Sequence, residues 1–186
     1  TDRLLTVSQL QRLRDTDLPT SLLRSSELRG RYIQFAKASE ANRRIVDDSL
    51  SGLENGSKVR RKLLVALLDE NLMAKKQRDE AALRERVAAT PSLATMGDPW
   101  GDIERANRVA RGLTNELTFL EGGAGFNSRL FRYARTLVRA AAEREKPNGE
   151  RLREFTDAAL PRIEQQLKAP VPVYPELERL TLSFSL

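Results

Sequence analysis

Cysteine and histidine are both absent from the 186 residues, and only 5% of them are aromatic. The first two absences remove disulfides, thiol nucleophiles, imidazole bases and the usual zinc and iron ligands together. Carboxylates alone can hold magnesium or calcium, but no D-x-[DN]-x-[DN]-G loop occurs. No metal and no cofactor is therefore expected, and the chain by itself lacks the groups for most hydrolytic chemistry. Nor is there a run of 18 apolar residues, so no membrane-crossing helix is expected. The opening TDRLLTVSQL has neither an initiator methionine nor the basic end and apolar middle of a signal peptide. At the other end Leu180, Leu182, Phe184 and Leu186 alternate in an apolar run. Both ends lead us to expect a piece of a larger protein.

What the chain does have is leucine, alanine, arginine and glutamate, with 31% of residues charged. That is the palette of helices whose apolar stripes pack on one another. The expected fold is all-α, an antiparallel bundle of helices joined by short turns, with residues 1–186 forming one domain around one core. The net charge of +6 comes from 32 basic and 26 acidic residues whose signs alternate along most segments, which describes a solvated surface better than a nucleic-acid footprint.

Thr6 and Gln9 have capping-box spacing, and Leu10, Leu13 and Leu18 follow, predicting a helix over 7–17 and a fresh start permitted by Pro19. A second helix is expected over 20–38. From 39 to 68, Val46, Leu50, Leu53, Leu64 and Leu67 keep one face, with Ser57 and Arg60 or Arg61 filling the gap. Further helices are predicted over 69–88, from the Asp98–Pro99 start to about Leu120 with a stop at Gly122 and Gly123, and from about Asn127 to Lys146. In the last of these, Leu130, Ala134, Leu137, Val138 and Ala141 are expected to face inward. Helices near 150–156 and 158–168 precede APVPVYP, whose prolines favour an extended crossing.

LSGLENGSKV, residues 50–59, interrupts the long helix with Gly52 and Gly56, each costing about 0.8–1 kcal/mol relative to alanine. With Leu53 facing the core, Asn55 lies about 200° away, on the polar side with Arg44, Asp48, Ser51, Lys58 and Lys62. The flanking glycines would let a ligand or another backbone approach. A solvated face with a tolerated kink is the blander reading of the same pattern. GLENGSK is no phosphate loop, because the glycines are one residue too close and serine stands where lysine is needed. Trp100, just inside a helix start, reads as packing. Arg129, Arg132, Arg135 and Arg139 form a basic stripe that would grip phosphates or whose stems would cover apolar surface.

Four segments in order, LSGLENGSKV, MGDPWGDI at 96–103, FNSRLFRYARTLVRAAAEREKPNGERL at 126–152 and LPRIEQQLKAPVPVYPELERLTLSFSL at 160–186, resemble the helical domain of the bacterial dipeptidyl-peptidase seven and eleven family. The resemblance runs from about Leu5 to the end. It implies a serine exopeptidase of chymotrypsin fold that releases dipeptides from peptide amino termini, with an all-α domain inserted into a double β-barrel and covering its cleft. Such proteins are dimeric and sit in the periplasm or on the cell surface. Their histidine and aspartate precede the insertion and their serine follows it, so the isolated chain is expected to be inactive, with no catalytic residue of its own.

In that family an asparagine of the helical domain helps an aspartate and a tryptophan of the catalytic domain to hold the substrate α-amino group. Asn55, in E-N-x-x-K, is the matching position, although Gly56 and Ser57 differ from the residues expected after it. The implied partners are the peptide amino terminus and the parent's own catalytic domain, without nucleic acid or membrane. Two rivals remain: a free-standing basic module that binds acidic partners or nucleic acid through Arg129 to Arg139, and an insert that only holds the barrels and dimer together.

Overall fold

Thr6 closes the first helix as its spacing with Gln9 requires: its N–H donates to Gln9 Oε1 at 2.9 Å and its Oγ1 accepts from the Gln9 N–H at 3.3 Å. The computed structural model describes residues 4–121, 128–170 and 172–182. Among them there is no strand, and the chain is all-α. It divides into two compact units, 1–115 and 116–186.

In the first unit α1 (Val7–Arg12) does not stop at Pro19. It widens into a π turn over Leu13–Asp17, where the Leu18 N–H donates to Leu13 O, and continues directly as α2 (Leu18–Ala36). Proline lacks an N–H and its ring crowds the carbonyl four residues back, and a wide turn just before it is the backbone adjustment that accommodates both. The expected break is therefore a bulge. After a short turn, Ser39 caps α3 (Glu40–Leu67), its Oγ accepting from the Asn42 N–H at 3.0 Å. Asn42 Nδ2 in turn donates to Phe35 O at 3.2 Å, tying the new helix to the end of the old one.

The two helices form an antiparallel hairpin. Arg60 of α3 meets Ser25 of α2, and Glu54 meets Arg29, so the numbers fall along one helix as they rise along the other. Phe35 and Val46 are almost fully buried near the turn, as the periodicity predicted for Val46. At the other end Leu67 joins Leu18 and Met73 in a buried cluster, with Leu10, Leu13 and Leu64 packed against it. Asp69 supplies the next cap, accepting from the N–H groups of Asn71 and Leu72, and α4 (Glu70–Ala88) returns along the bundle. A 3₁₀ segment over Pro91–Met96 leads to α5 (Pro99–Gly112), capped by Asp98 on the Gly101 N–H as expected.

The helix predicted to reach Leu120 is segmented. α5 ends at Gly112, and α6 (Thr114–Glu116) and a π turn over Leu117–Glu121 follow. Thr114 Oγ1 donates to Ala110 O at 3.1 Å, a local bond that competes with regular helix beside a glycine. The stop expected at Gly122 and Gly123 lies outside the described residues, as does the predicted start at Asn127.

In the second unit α7 (Arg129–Arg144) is capped by the buried Ser128. Here the face prediction is reversed. Leu130, Leu137 and Val138 are about half to two-thirds exposed, Ala134 and Ala141 are exposed, and the buried residues are Ala140 and Glu143. The periodicity identified the residues that share a face, but within this unit the opposite face has the partners. Glu143 Oε2 accepts from the Leu152 N–H at 2.7 Å, and Oε1 from Lys146 Nζ at 2.6 Å. Short 3₁₀ turns over Asn148–Glu150 and Arg153–Phe155 replace the helix expected near 150–156, with Phe155 buried. Then come α8 (Leu160–Lys168) and α9 (Pro175–Leu182), which makes the start of the alternating tail helical; Phe184 and Leu186 lie outside the described residues, as does Val171 in the crossing expected over APVPVYP.

Lys146 and the Leu152 amide hold the Glu143 carboxyl below its ordinary range. A carboxylate with a lowered folded-state pKa contributes stability that is complete above the unfolded value, about 4.3, and is lost as pH falls through the lowered one. Urea unfolding followed from pH 7 to pH 3 should therefore show a steeper loss for the natural chain than for Glu143→Gln. Parallel curves would remove this carboxylate from the acid response.

Candidate functional site

Asn55 lies in the middle of α3, a helix of 28 residues that runs unbroken through both glycines. The core-facing residues around it fall where the spacing put them: Leu50, Leu53 and Leu64 are partly covered, and Val46 and Leu67 are buried. Asn55 is exposed on the opposite side, as are Arg44, Asp48, Ser51, Lys58 and Lys62. Its amide is thus presented by a rigid element and is not drawn into the hydrophobic interior.

The two glycines have different surroundings. A Cβ built on Gly52 meets nothing within 4 Å, and the position is exposed. One built on Gly56 would lie 3.1 Å from both terminal nitrogens of Arg60. The Arg60 guanidinium folds back over Gly56 and donates from Nη2 to Ser25 Oγ at 2.8 Å, reaching a residue that is 9% exposed. Gly56 therefore makes room for an internal arginine, which corrects the expectation that both glycines clear space for an outside group. Arg60, and not the exposed Arg61, fills the gap in the apolar stripe.

These surroundings set the signs of two substitutions. Gly52→Ala should raise stability by about 0.8–1 kcal/mol through helix propensity alone. At Gly56 the same gain is offset by displacing a hydrogen bond worth about 1–2 kcal/mol, so Gly56→Ala should bring no net increase. Chemical unfolding of the two variants checks this, and equal gains would overturn the role given to Gly56.

Glu54, beside Asn55, is held by Arg29, whose Nε donates to Oε1 at 2.8 Å. The carboxylate next to the amide is thereby neutralised from α2. Elsewhere the shifted carboxylates are ion-pair members: Arg14 lowers Asp15, Lys75 lowers Asp79, and Arg139 lowers Glu121. Each shift favours the charged form, the opposite of what a general acid at neutral pH needs. No group of acidic residues suited to a metal ion occurs among the described residues, and none of the described helices is long and apolar enough to cross a membrane.

The basic stripe is largely engaged within its own unit. Arg139 forms a two-pronged pair with Glu121 at 2.5 and 2.8 Å, Arg135 Nη1 donates to Glu121 O at 2.8 Å, and Arg129 Nη1 donates to Pro172 O at 3.5 Å. Sequence reasoning missed one feature altogether. An apolar cleft of about 440 Å³ opens between α1, α4 and α5, lined by Leu5, Leu10, Leu83, Met96, Trp100 and Ile103 among others. Trp100 forms part of its wall, with the Arg84 guanidinium 5.2 Å from the ring centre. No spacing signals such a cleft, since its walls come from separate helices.

Among the described residues the longest helix, α3, carries the Asn55 amide on its open side. The family model described as Peptidase S46 matches residues 1–186, and the chain belongs to the peptidase S46 family, which relates it to the dipeptidyl-peptidases. No curated protein and no solved structure matched it.

Proposed function

We propose that this chain is the helical cap of a serine dipeptidyl-peptidase, closing over the cleft of a double β-barrel catalytic domain and contributing Asn55 to the site that holds the substrate α-amino group. Family membership over the whole chain supports the peptidase relation. The observation that carries the role of Asn55 is its exposure at the middle of a continuous helix, beside an open Gly52 and a glutamate already paired with arginine.

The chemistry follows from the amide. Its carbonyl oxygen accepts a hydrogen bond from an ammonium without adding charge, so the full counter-charge is left to the catalytic domain. An ammonium fixed at a set distance from the nucleophile places the second peptide bond at the reacting centre, so dipeptides are released. The cap contributes to binding and register; the nucleophile and base belong to the barrels. In this reading the parent is a homodimer of the periplasm or cell surface, and 1–186 behave as one inserted domain.

The test replaces Asn55 by alanine in the complete peptidase and compares peptides with free and acetylated amino termini. Loss confined to the free-amine peptides supports the reading. Unchanged kinetics would take Asn55 out of the site and leave a purely structural insert.

A further inference from the structure

Glu54 and Lys58 stand four residues apart on α3, in the order and spacing at which glutamate and lysine pair along a helix. They do not pair. Arg29 reaches across from α2 and takes the Glu54 carboxylate, with Nε and Nη2 each 2.8 Å from Oε1. Lys58 is left exposed, with neither an ion pair nor a hydrogen bond among the described residues.

Lys58 is also three residues from Asn55, about 4.5 Å further along the axis and on the neighbouring strip of surface. The other charges on this face are more distant along the helix: Lys62 is one turn beyond Lys58, and Asp48 and Arg44 lie two and three turns before Asn55. Asp47 is engaged by Arg43 at 3.8 Å. The free charge closest along the helix to the Asn55 amide is therefore a lysine ammonium.

We infer that Lys58 is a specificity-determining residue that favours peptides whose first residue is acidic and disfavours those that begin with lysine or arginine. The inference rests on the proposed grip of Asn55 on the α-amino group. An ammonium held there puts the first Cα one bond away, so the first side chain is, of all the side chains of the peptide, the one attached nearest to Lys58. Repulsion between Lys58 and the α-ammonium is common to all free peptides and cancels in any ratio of two of them. The side-chain interaction does not cancel: between unit charges about 6 Å apart in a water-like surrounding it is worth about threefold for each sign, or about tenfold in the ratio of acidic to basic first residues.

The experiment uses the complete peptidase and peptides that differ only in their first residue, glutamate, leucine or lysine. Lys58→Met is expected to lower the glutamate-to-lysine ratio of kcat/KM about tenfold, and Lys58→Glu to lower it about tenfold more, with the leucine peptide in between. Added salt should shrink both changes. Each ratio is taken within one enzyme preparation, so a partly inactive variant still reports it. If Asn55→Ala weakens all three peptides while the ratio ignores both Lys58 variants, Lys58 has no such role and the cap reading stands. If Asn55→Ala changes nothing, the cap reading falls and this inference with it.

Discussion

Asn55→Ala in the complete peptidase is expected to lower kcat/KM for peptides with a free amino terminus by about 10- to 100-fold. A hydrogen bond to a charged group contributes about 1.5–3 kcal/mol, and each 1.4 kcal/mol is a factor of ten. Alanine removes the acceptor and leaves the bound ammonium short of one partner, so both KM and turnover should suffer if the same contact sets the register. Asn55→Asp keeps an acceptor oxygen and should retain more activity than alanine. Circular dichroism should be unaffected by either change, and Asn55→Ala should unfold no more easily than the natural chain, with a gain of about a few tenths of a kcal/mol from helix propensity, because the side chain is exposed and lies on the face away from the buried positions. A variant that folds normally and cleaves normally would end the assignment.

Phe35→Ala should have the largest effect on stability, about 3–5 kcal/mol. Phe35 is 3% exposed at the end of α2, opposite the start of α3, where Val46 is 1% exposed. Truncation leaves a cavity where the hairpin closes, and the Asn42 bond to the Phe35 carbonyl loses its packed surroundings. Set against a typical domain stability of about 5–15 kcal/mol, that loss is at least about a fifth of the total. Leu23→Ala on the same helix is the control. Its side chain is 61% exposed and should cost less than about 0.5 kcal/mol. Similar denaturant midpoints for the two variants would show that the hairpin core is not where the geometry puts it.

The helix starts at Thr6 and Asp98 were legible because capping chemistry is local: each side chain accepts a backbone N–H three residues on, and nothing remote is needed to form such a cap. Ser39, Asp69 and Ser128 cap in the same local way, although the sequence reading did not single them out. The face of α3 was legible for a related reason, since α2 pairs with it across a short turn and their stripes must meet. The face of α7 was not. Leu130, Leu137 and Val138 repeat at helical spacing, but spacing says nothing about which side finds a partner, and Glu143 and Ala140 found theirs in the following turns. The bulge before Pro19 escaped notice because a proline marks a disturbance without specifying its form.

At the candidate site the sequence placed Asn55 on the open side of its helix, since an angle about the axis depends only on counting residues. Counting did not separate Gly52 from Gly56. The difference lies in the path of the Arg60 side chain to Ser25, a contact between residues 35 positions apart. The same limit applies to Lys58, whose expected helical partner is taken by an arginine 25 positions before that partner.

The uninterrupted length of α3 makes it a lever. Asn55 is about 18 Å from the Leu67 end of the rod, so a tilt of about 5° at the Leu18, Leu67 and Met73 cluster would swing the amide by about 1.5 Å. Displacements of that size are enough to spoil alignment at a reacting centre. If Asn55 holds the substrate amine as proposed, substitutions in that distant cluster would register as weakened turnover of the complete peptidase, with every group that touches the peptide still in place.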